Sequence, residues 1–333
     1  MDNQETRLAK QLLAEPKKVA IIPHKSPDGD AMGSTLALYQ VLKKCGHDPR
    51  VIAPNDFPPS LAWLPYQETV IIFEKEREKA QDVIAAAQLI FVLDFNALHR
   101  TGDMEQPLMA SKAPFIMIDH HQEPANFAAV TYSDTSIGST CEMLYYFLVK
   151  VGLDSLIDAS VATCLYTGIV TDSGSFRFAS TTAQTHRVAA ELISRGADNA
   201  LVHPALFDNN SYHSLQLLGR ALQNLVLMPE HSTSYITLSQ KELDEYHYVK
   251  GDTEGIVNYG LSIKGIKFTA IFIEHTDENI VKISFRSKGD FDVNKFARQH
   301  FNGGGHINAA GGKSQQSLAE TVEKFVSIVK STL

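Results

Sequence analysis

VAIIPHKSPDGDAMGS, from Val19 to Ser34, sets an apolar, β-branched run directly against a polar turn. Val19–Pro23 reads as a buried strand, because a short run of Val and Ile bounded by Pro is a strand signal. Pro27 and Gly29 interrupt regular helix. His24, Asp28 and Asp30 are therefore expected on a loop at the strand's carboxyl end, with a helix over Met32–Cys45 beyond it. Open α/β sheets bind their ligands at that edge.

The same alternation continues outward. Arg50–Ala53, Thr69–Phe73, Leu89–Leu93 and Phe115–Ile118 are further strand-like runs, and Lys75–Ala87 has the pattern of an intervening amphipathic helix. This predicts an α/β fold, a mainly parallel sheet with helices on both faces. From Gly138 to Leu227 the pattern is mostly helical, over Ser139–Val151, Ala159–Val170 and Thr182–Ser194, with a partly helical connection at Val202–Met228. After Pro229, strands at Thr233–Leu238, Lys267–Glu274 and Ile280–Arg286 and helices at Val293–His300 and Leu318–Val329 predict a smaller α+β domain. The expected organisation is a metal-binding domain over 1–200, a helical linker over 201–228 and a substrate-binding domain over 229–333.

Composition narrows the partners. The formal charge is −8, and Lys and Arg are scattered. A protein that tracks long nucleic acid needs a basic surface to neutralise phosphates, so any nucleotide ligand is expected to be short. The run Glu74–Lys79 alternates in sign and reads as a solvated helix face. Cys45, Cys141 and Cys164 form no CxxC pair, so neither a disulfide scaffold nor a thiolate zinc site is expected. The opening residues are polar and no segment reaches the ~20 apolar residues of a membrane span. A soluble, cytoplasmic protein without a membrane partner is the expectation.

Four segments gather acidic and imidazole side chains. His24, Asp28 and Asp30 form the first, Asp94 the second, Asp119, His120 and His121 the third, and Asp172 of TDSGSF the fourth. A lone Asp after a strand is usually a helix cap or turn residue. Several carboxylates crowded at one edge, however, raise each other's pKa values unless a cation compensates, and only Lys25 and Arg100 lie in these segments. A pair of divalent metals is the simpler solution. Carboxylate and imidazole without thiolate suit Mn²⁺ first, with Mg²⁺ or Co²⁺ as other candidates. Two such ions ~3.5–4 Å apart can share a carboxylate and a water, whose lowered pKa supplies hydroxide for phosphate-ester hydrolysis.

HxxxDxD at His24–Asp30, the isolated Asp94, the triplet Asp119–His121 and Asp172 resemble the four motifs of the DHH phosphoesterases. Phe285–Lys288 and Gly303-Gly304-Gly305-His306 with Ala309–Gly311 resemble that family's second domain, DHHA1, and Glu254–Asn258 fits ahead of it. Within the family the chain is similar to the oligoribonuclease (nanoRNase) and 3′-phosphoadenosine 5′-phosphate phosphatase branch. The resemblance implies that His24 and Asp28 hold one metal, that Asp30, His120 and Asp172 hold the other, and that Asp94 bridges. It implies that His121 faces the substrate and that Asp119 orients its neighbours. Arg286, His306 and the Gly303–Gly305 backbone would grip a terminal phosphate, with the active site in an inter-domain cleft. Implied substrates are RNAs of about two to five nucleotides and 3′-phosphoadenosine 5′-phosphate, and relatives often pair as homodimers. Many relatives carry a fourth glycine where this chain has Asn302, which bears on the loop's geometry.

Three other functions stay open on sequence alone: hydrolysis of cyclic di-AMP or its linear product pApA, a pyrophosphatase or polyphosphatase activity, and a nucleotide sensor without catalysis. Arg100 could meet a substrate phosphate or form a salt bridge. His186, His203 and His213 lack carboxylates at ligand spacing and are read as structural, and Trp63 and Tyr66 as core.

Overall fold

The computed structural model describes residues 1–208 and 210–332. The chain divides into two compact units, 1–209 and 210–333.

The first unit is built on a six-stranded sheet of β1 (Lys18–Ile22), β2 (Asp48–Ala53), β3 (Ile71–Ile72), β4 (Leu89–Leu93), β5 (Phe115–Asp119) and β6 (Val130–Ser133). Every adjacent pair is parallel, in the order β3-β2-β1-β4-β5-β6. Its helices are α1 (Asn3–Leu12), α2 (Gly29–Lys44), α3 (Arg77–Ala86), α4 (Glu105–Ala110), α5 (Thr140–Val151), α6 (Ala159–Asp172), α7 (Ala183–Ser194) and α8 (Asn199–Phe207). Strand side chains alternate between two cores. Val19, Ile21, Phe91 and Ile118 face the core shared with α2, α5 and α6. Ala20, Ile22, Ile90 and Met117 face the one shared with α3 and α4. Burial on both sides explains why these strands read as continuous apolar runs. The chain winds one way from β1 and then the other way from β4, so the sheet's switch point lies between β1 and β4. That is where doubly wound sheets leave a crevice at their carboxyl ends.

Two local expectations need correction. The helix after β1 starts at Gly29, so Asp30 lies in its first turn and only His24 and Asp28 precede it; Asp28 is the N-cap, accepting from the N–H groups of Asp30 and Ala31 at 3.1 Å. Gly29 is no breaker there. A Cβ on it would come within 2.4 Å of the Thr171 side chain, so its absence lets α2 approach α6. Strand β6 went unread because VTYS is short.

The second unit holds α9 (Tyr212–Gln223), β7 (Val226–Met228), β8 (Thr233–Leu238), α10 (Gln240–Glu245), α11 (Val257–Ser262), β9 (Phe268–His275), β10 (Ile280–Ser287), α12 (Val293–His300), β11 (Gly304–His306), β12 (Ala309–Ser314) and α13 (Leu318–Thr332). Its mixed sheet runs β11-β12-β10-β9-β8-β7, antiparallel except for the β8/β9 pair. Phe272, Phe285 and Ala310 face a core filled by Phe296 of α12 and Phe325 of α13. Ile236, Leu238 and Ile271 face α9, α10 and α11 instead. The stretch 201–228, expected as a linker, divides: α8 belongs to the first unit, and α9 and β7 to the second. Among the described residues no helix is long and apolar enough to cross a membrane.

Candidate metal centre

The loop after β1 is fixed from several sides. Ser26, at φ +57°, donates its N–H to Asn55 Oδ1 at 2.6 Å, and Lys25 donates to the carbonyl of Arg100 at 2.8 Å. His24 Nδ1 lies 2.8 Å from its neighbour's carbonyl, that of Lys25. With Nδ1 donating to that carbonyl, Nε2 is the His24 atom that faces Asp94 Oδ2 at 3.4 Å and Asp28 Oδ1 at 4.0 Å.

Asp94 is the residue after β4 and takes a left-handed conformation, φ +66°. Asp tolerates this better than most residues, and held strain of this kind concentrates at functional sites. Its two oxygens face different partners. Oδ2 faces His24, while Oδ1 lies 3.5 Å from His120 Nε2 and accepts from Thr140 Oγ1 at 2.9 Å. His120 Nε2 is also 3.4 Å from Asp172 Oδ2 and 3.9 Å from Asp30 Oδ2. Three overlapping groups result, His24–Asp28–Asp94, Asp30–His120–Asp172 and Asp94–His120–His121, the ligand atoms of each within 4.8 Å of one another.

Asp30 is fully buried and accepts the N–H groups of Thr140 at 2.6 Å and Cys141 at 2.8 Å. These open α5, so the helix N-terminus supports the carboxylate. Gly168 of α6 makes room, since a Cβ there would stand 2.6 Å from Asp30 Oδ1. Thr140 and Cys141 were missed in the sequence, although Ser139 with Glu142 three residues on has the spacing of a helix-start signal. Asp119 is fully buried and meets His121 twice, accepting its N–H at 2.9 Å and lying 2.7 Å from Nδ1.

Electrostatics couple the groups of this pocket tightly. Burial pulls the His24 imidazole down, but Asp94 and Asp28 outweigh it and raise it to about 9. Burial opposes charge on His120 too, yet Asp94, Asp172 and Asp30 raise it to about 11. Burial and Asp94 raise Asp30 to about 8, and burial with Asp30 and Asp28 moves Asp172 well up. Asp94 goes well below its ordinary value against its own burial, because His120 and His24 hold it. Protons thus occupy the place of cations. The donors fit two divalent ions: they are carboxylate and imidazole, His24 turns Nε2 toward Asp94 and Asp28, and Asp94 offers one oxygen to each side. The four carboxylates Asp28, Asp30, Asp94 and Asp172 match the charge of two such ions.

The remaining expected residues lie elsewhere. Arg100 is exposed in the turn Leu98–Met104, joined to the His24 loop through its carbonyl. Arg286 on β10 is half-buried; burial lowers its guanidinium from the ordinary value and Glu254 opposes that. Arg286 and His306 both stand opposite Ala309, one on each side of β12. The glycine segment is a strand in part and not an open loop. Gly303 N–H donates to the Ala297 carbonyl at 3.2 Å and Gly305 N–H to Asn294 Oδ1 at 3.0 Å. Those two donors are already engaged within the unit. Gly303 is required by packing, for a Cβ would meet the Gly311 carbonyl at 1.8 Å.

Comparison with known proteins agrees with this architecture. The DHH family N-terminal domain matches residues 18–169 and the DHHA1 domain residues 235–333. The probable bifunctional oligoribonuclease and PAP phosphatase NrnA of Streptococcus mutans is 30% identical over 307 residues, 92% of this chain and 92% of that protein. The bifunctional oligoribonuclease and PAP phosphatase NrnA of Thermus thermophilus is 29% identical, covering 98% of this chain and 93% of that one. The crystal structure of an exopolyphosphatase-related protein from Bacteroides fragilis superposes with a TM-score of 0.96 at 35% identity, over 99% of this chain and 96% of that chain. The chain belongs to the DHH phosphoesterase family and carries its DHHA1 domain.

Proposed function

We propose that this chain is a two-metal phosphoesterase that hydrolyses short nucleotides, namely RNAs of a few nucleotides and 3′-phosphoadenosine 5′-phosphate. The observation that carries the reading is Asp94, whose two oxygens face two separate donor groups. His24 and Asp28 would hold one divalent cation, Asp30, His120 and Asp172 the other, and Asp94 would serve both; Mn²⁺ is the ion we assign first. Bound there, the pair would supply an activated water at neutral pH and would stabilise charge on the transferring phosphoryl group.

The protein's own residues do the rest. Asp30 stays in place because the α5 N-terminus holds it, and Thr140 fixes the turn of Asp94. Asp119 fixes the His121 ring through Nδ1, and we assign Nε2 to the leaving oxygen as its proton source. In the second unit Arg286 offers a planar fork to a phosphate, with His306 in the same row of the sheet. NrnA relatives support this substrate class. The name of the Bacteroides fragilis protein favours a second reading, inorganic polyphosphate.

The test is a parallel assay in Mn²⁺ of a 5′-phosphorylated RNA dinucleotide, 3′-phosphoadenosine 5′-phosphate, cyclic di-AMP, pApA, pyrophosphate, polyphosphate and a long RNA. Release of mononucleotide from the short substrates, lost in Asp94→Asn, is expected. Turnover of pyrophosphate or polyphosphate alone would move the assignment to the second reading.

A further inference from the structure

Strand register arranges a second cationic row on the sheet of the second unit. On β10 and β12, Arg286 faces Ala309, Ser284 faces Gly311 and Lys282 faces Lys313. Directly opposite residues share a face, and positions two apart along a strand share it as well. The intervening residues Ile283, Phe285, Ala310 and Gly312 turn to the opposite, buried side, where Phe285 and Ala310 join the aromatic core and Gly312 abuts Phe301. One strip therefore runs from Arg286 and His306, over a floor of Ser284, Ala309 and Gly311, to Lys282 and Lys313. Helices α9, α10 and α11 pack on this face over β8 and β9, whereas Lys282, Gly311 and Lys313 are exposed.

Two lysines directly opposite each other repel. Lys282 has a partial answer in Glu278, at 2.6 Å across an exposed ion pair, a type that contributes little. Lys313 forms no ion pair among the described residues. In a chain of net charge −8, a cationic row at the end of a small-residue floor is complementary to an anionic backbone. Four residues of strand place it ~13 Å from Arg286.

We infer that Lys282 and Lys313 form an outer phosphate subsite for the ribose-phosphate backbone of oligonucleotides longer than the dinucleotide. This rests on the substrate class proposed above and assigns its length dependence to one strip. A mononucleotide or dinucleotide with its terminal phosphate at Arg286 ends before the lysine row, whereas a tetramer or pentamer reaches it with an internal phosphate at Arg286 and its terminal phosphate at the lysines.

The experiment pairs the wild-type chain with Lys282→Gln/Lys313→Gln, two exposed positions. Binding of a 5′-phosphorylated, fluorescein-labelled RNA pentamer is followed by anisotropy without divalent ions, so turnover is not required. KM values for 3′-phosphoadenosine 5′-phosphate, dinucleotide and pentamer are measured in Mn²⁺. Expected is weaker pentamer binding with a salt slope lower by about 1.4, ~0.7 for each lost phosphate contact on a single strand. The pentamer KM rises and the two short substrates are unchanged. Unchanged pentamer binding, or an equal loss on all three substrates, overturns the subsite. Lysine-dependent binding in a protein that cleaves none of the substrates would keep the subsite and defeat the catalytic reading.

Discussion

The two units present charge in opposite ways. The first gathers carboxylate and imidazole side chains, most of them buried or half-buried, at fixed points, the ends of β1, β4 and β5 and the last turn of α6, and anchors them with hydrogen bonds from α5 and neighbouring loops. The second spreads cationic side chains along an open face of a sheet, spaced by register and floored by small residues. Chemistry that must hold two ions at a set separation needs rigid, desolvated points. Recognition of a flexible, charged backbone needs charge at intervals and little enclosure.

That contrast predicts how the units fail. Asp94→Asn should have the largest effect, a loss of kcat of roughly 10³-fold or more, as several kcal/mol of charge stabilisation disappears. KM should change far less, and steady-state kinetics on a dinucleotide would show it. Arg286→Gln should do the reverse, raising KM about ten- to a hundredfold, the worth of one charge-assisted hydrogen bond or somewhat more, with kcat nearly retained. A kcat loss without a KM change would break the division of labour between the units.

Asp119→Asn sharpens the picture inside the first unit. Removing a buried partner that orients a histidine should lower activity about ten- to thirtyfold, by analogy with outer partners of metal ligands. The number of bound Mn²⁺ ions should be unchanged by calorimetry. The smallest effect is on stability against pH. His24, raised to about 9, and Asp30, raised to about 8, bind more protons folded than unfolded across neutral pH. The metal-free protein should therefore lose stability as pH rises from about 6.5 to 9. Its Tm should fall clearly over that range, at about 2–4 °C per kcal/mol for a unit of this size, and Mn²⁺ should remove that dependence. A metal-free Tm that rises over the same range would contradict the ionisation pattern.

The same contrast explains what the sequence could show. His24, Asp94, His120 and Asp172 were legible because each sits at or beside the end of an apolar run, where an acid or imidazole stands out, and Asp28 because it shares the polar turn that follows the first of them. Their supports were not. Thr140 and Cys141 reach Asp30 across 110 and 111 residues of chain, and only the tertiary packing of α5 on α2 brings them there. Helix α2 was expected to start three residues late because Gly29 reads as a breaker when its neighbour Thr171 is out of sight. Strands β11 and β12 were missed for a related reason. GGH and AAGGKS have poor strand propensity, and β12 forms because β10 supplies a partner along its whole length. The row of Arg286, Ala309 and His306 is a fact of register, and no spacing in the sequence reports it.

The most direct test of the metal centre is anomalous diffraction at the manganese edge from crystals of the full chain soaked in Mn²⁺. The account predicts two peaks ~3.5–4 Å apart, one beside His24 and Asp28, the other beside Asp30, His120 and Asp172, with Asp94 touching both. A single peak, or two that do not share Asp94, would contradict it.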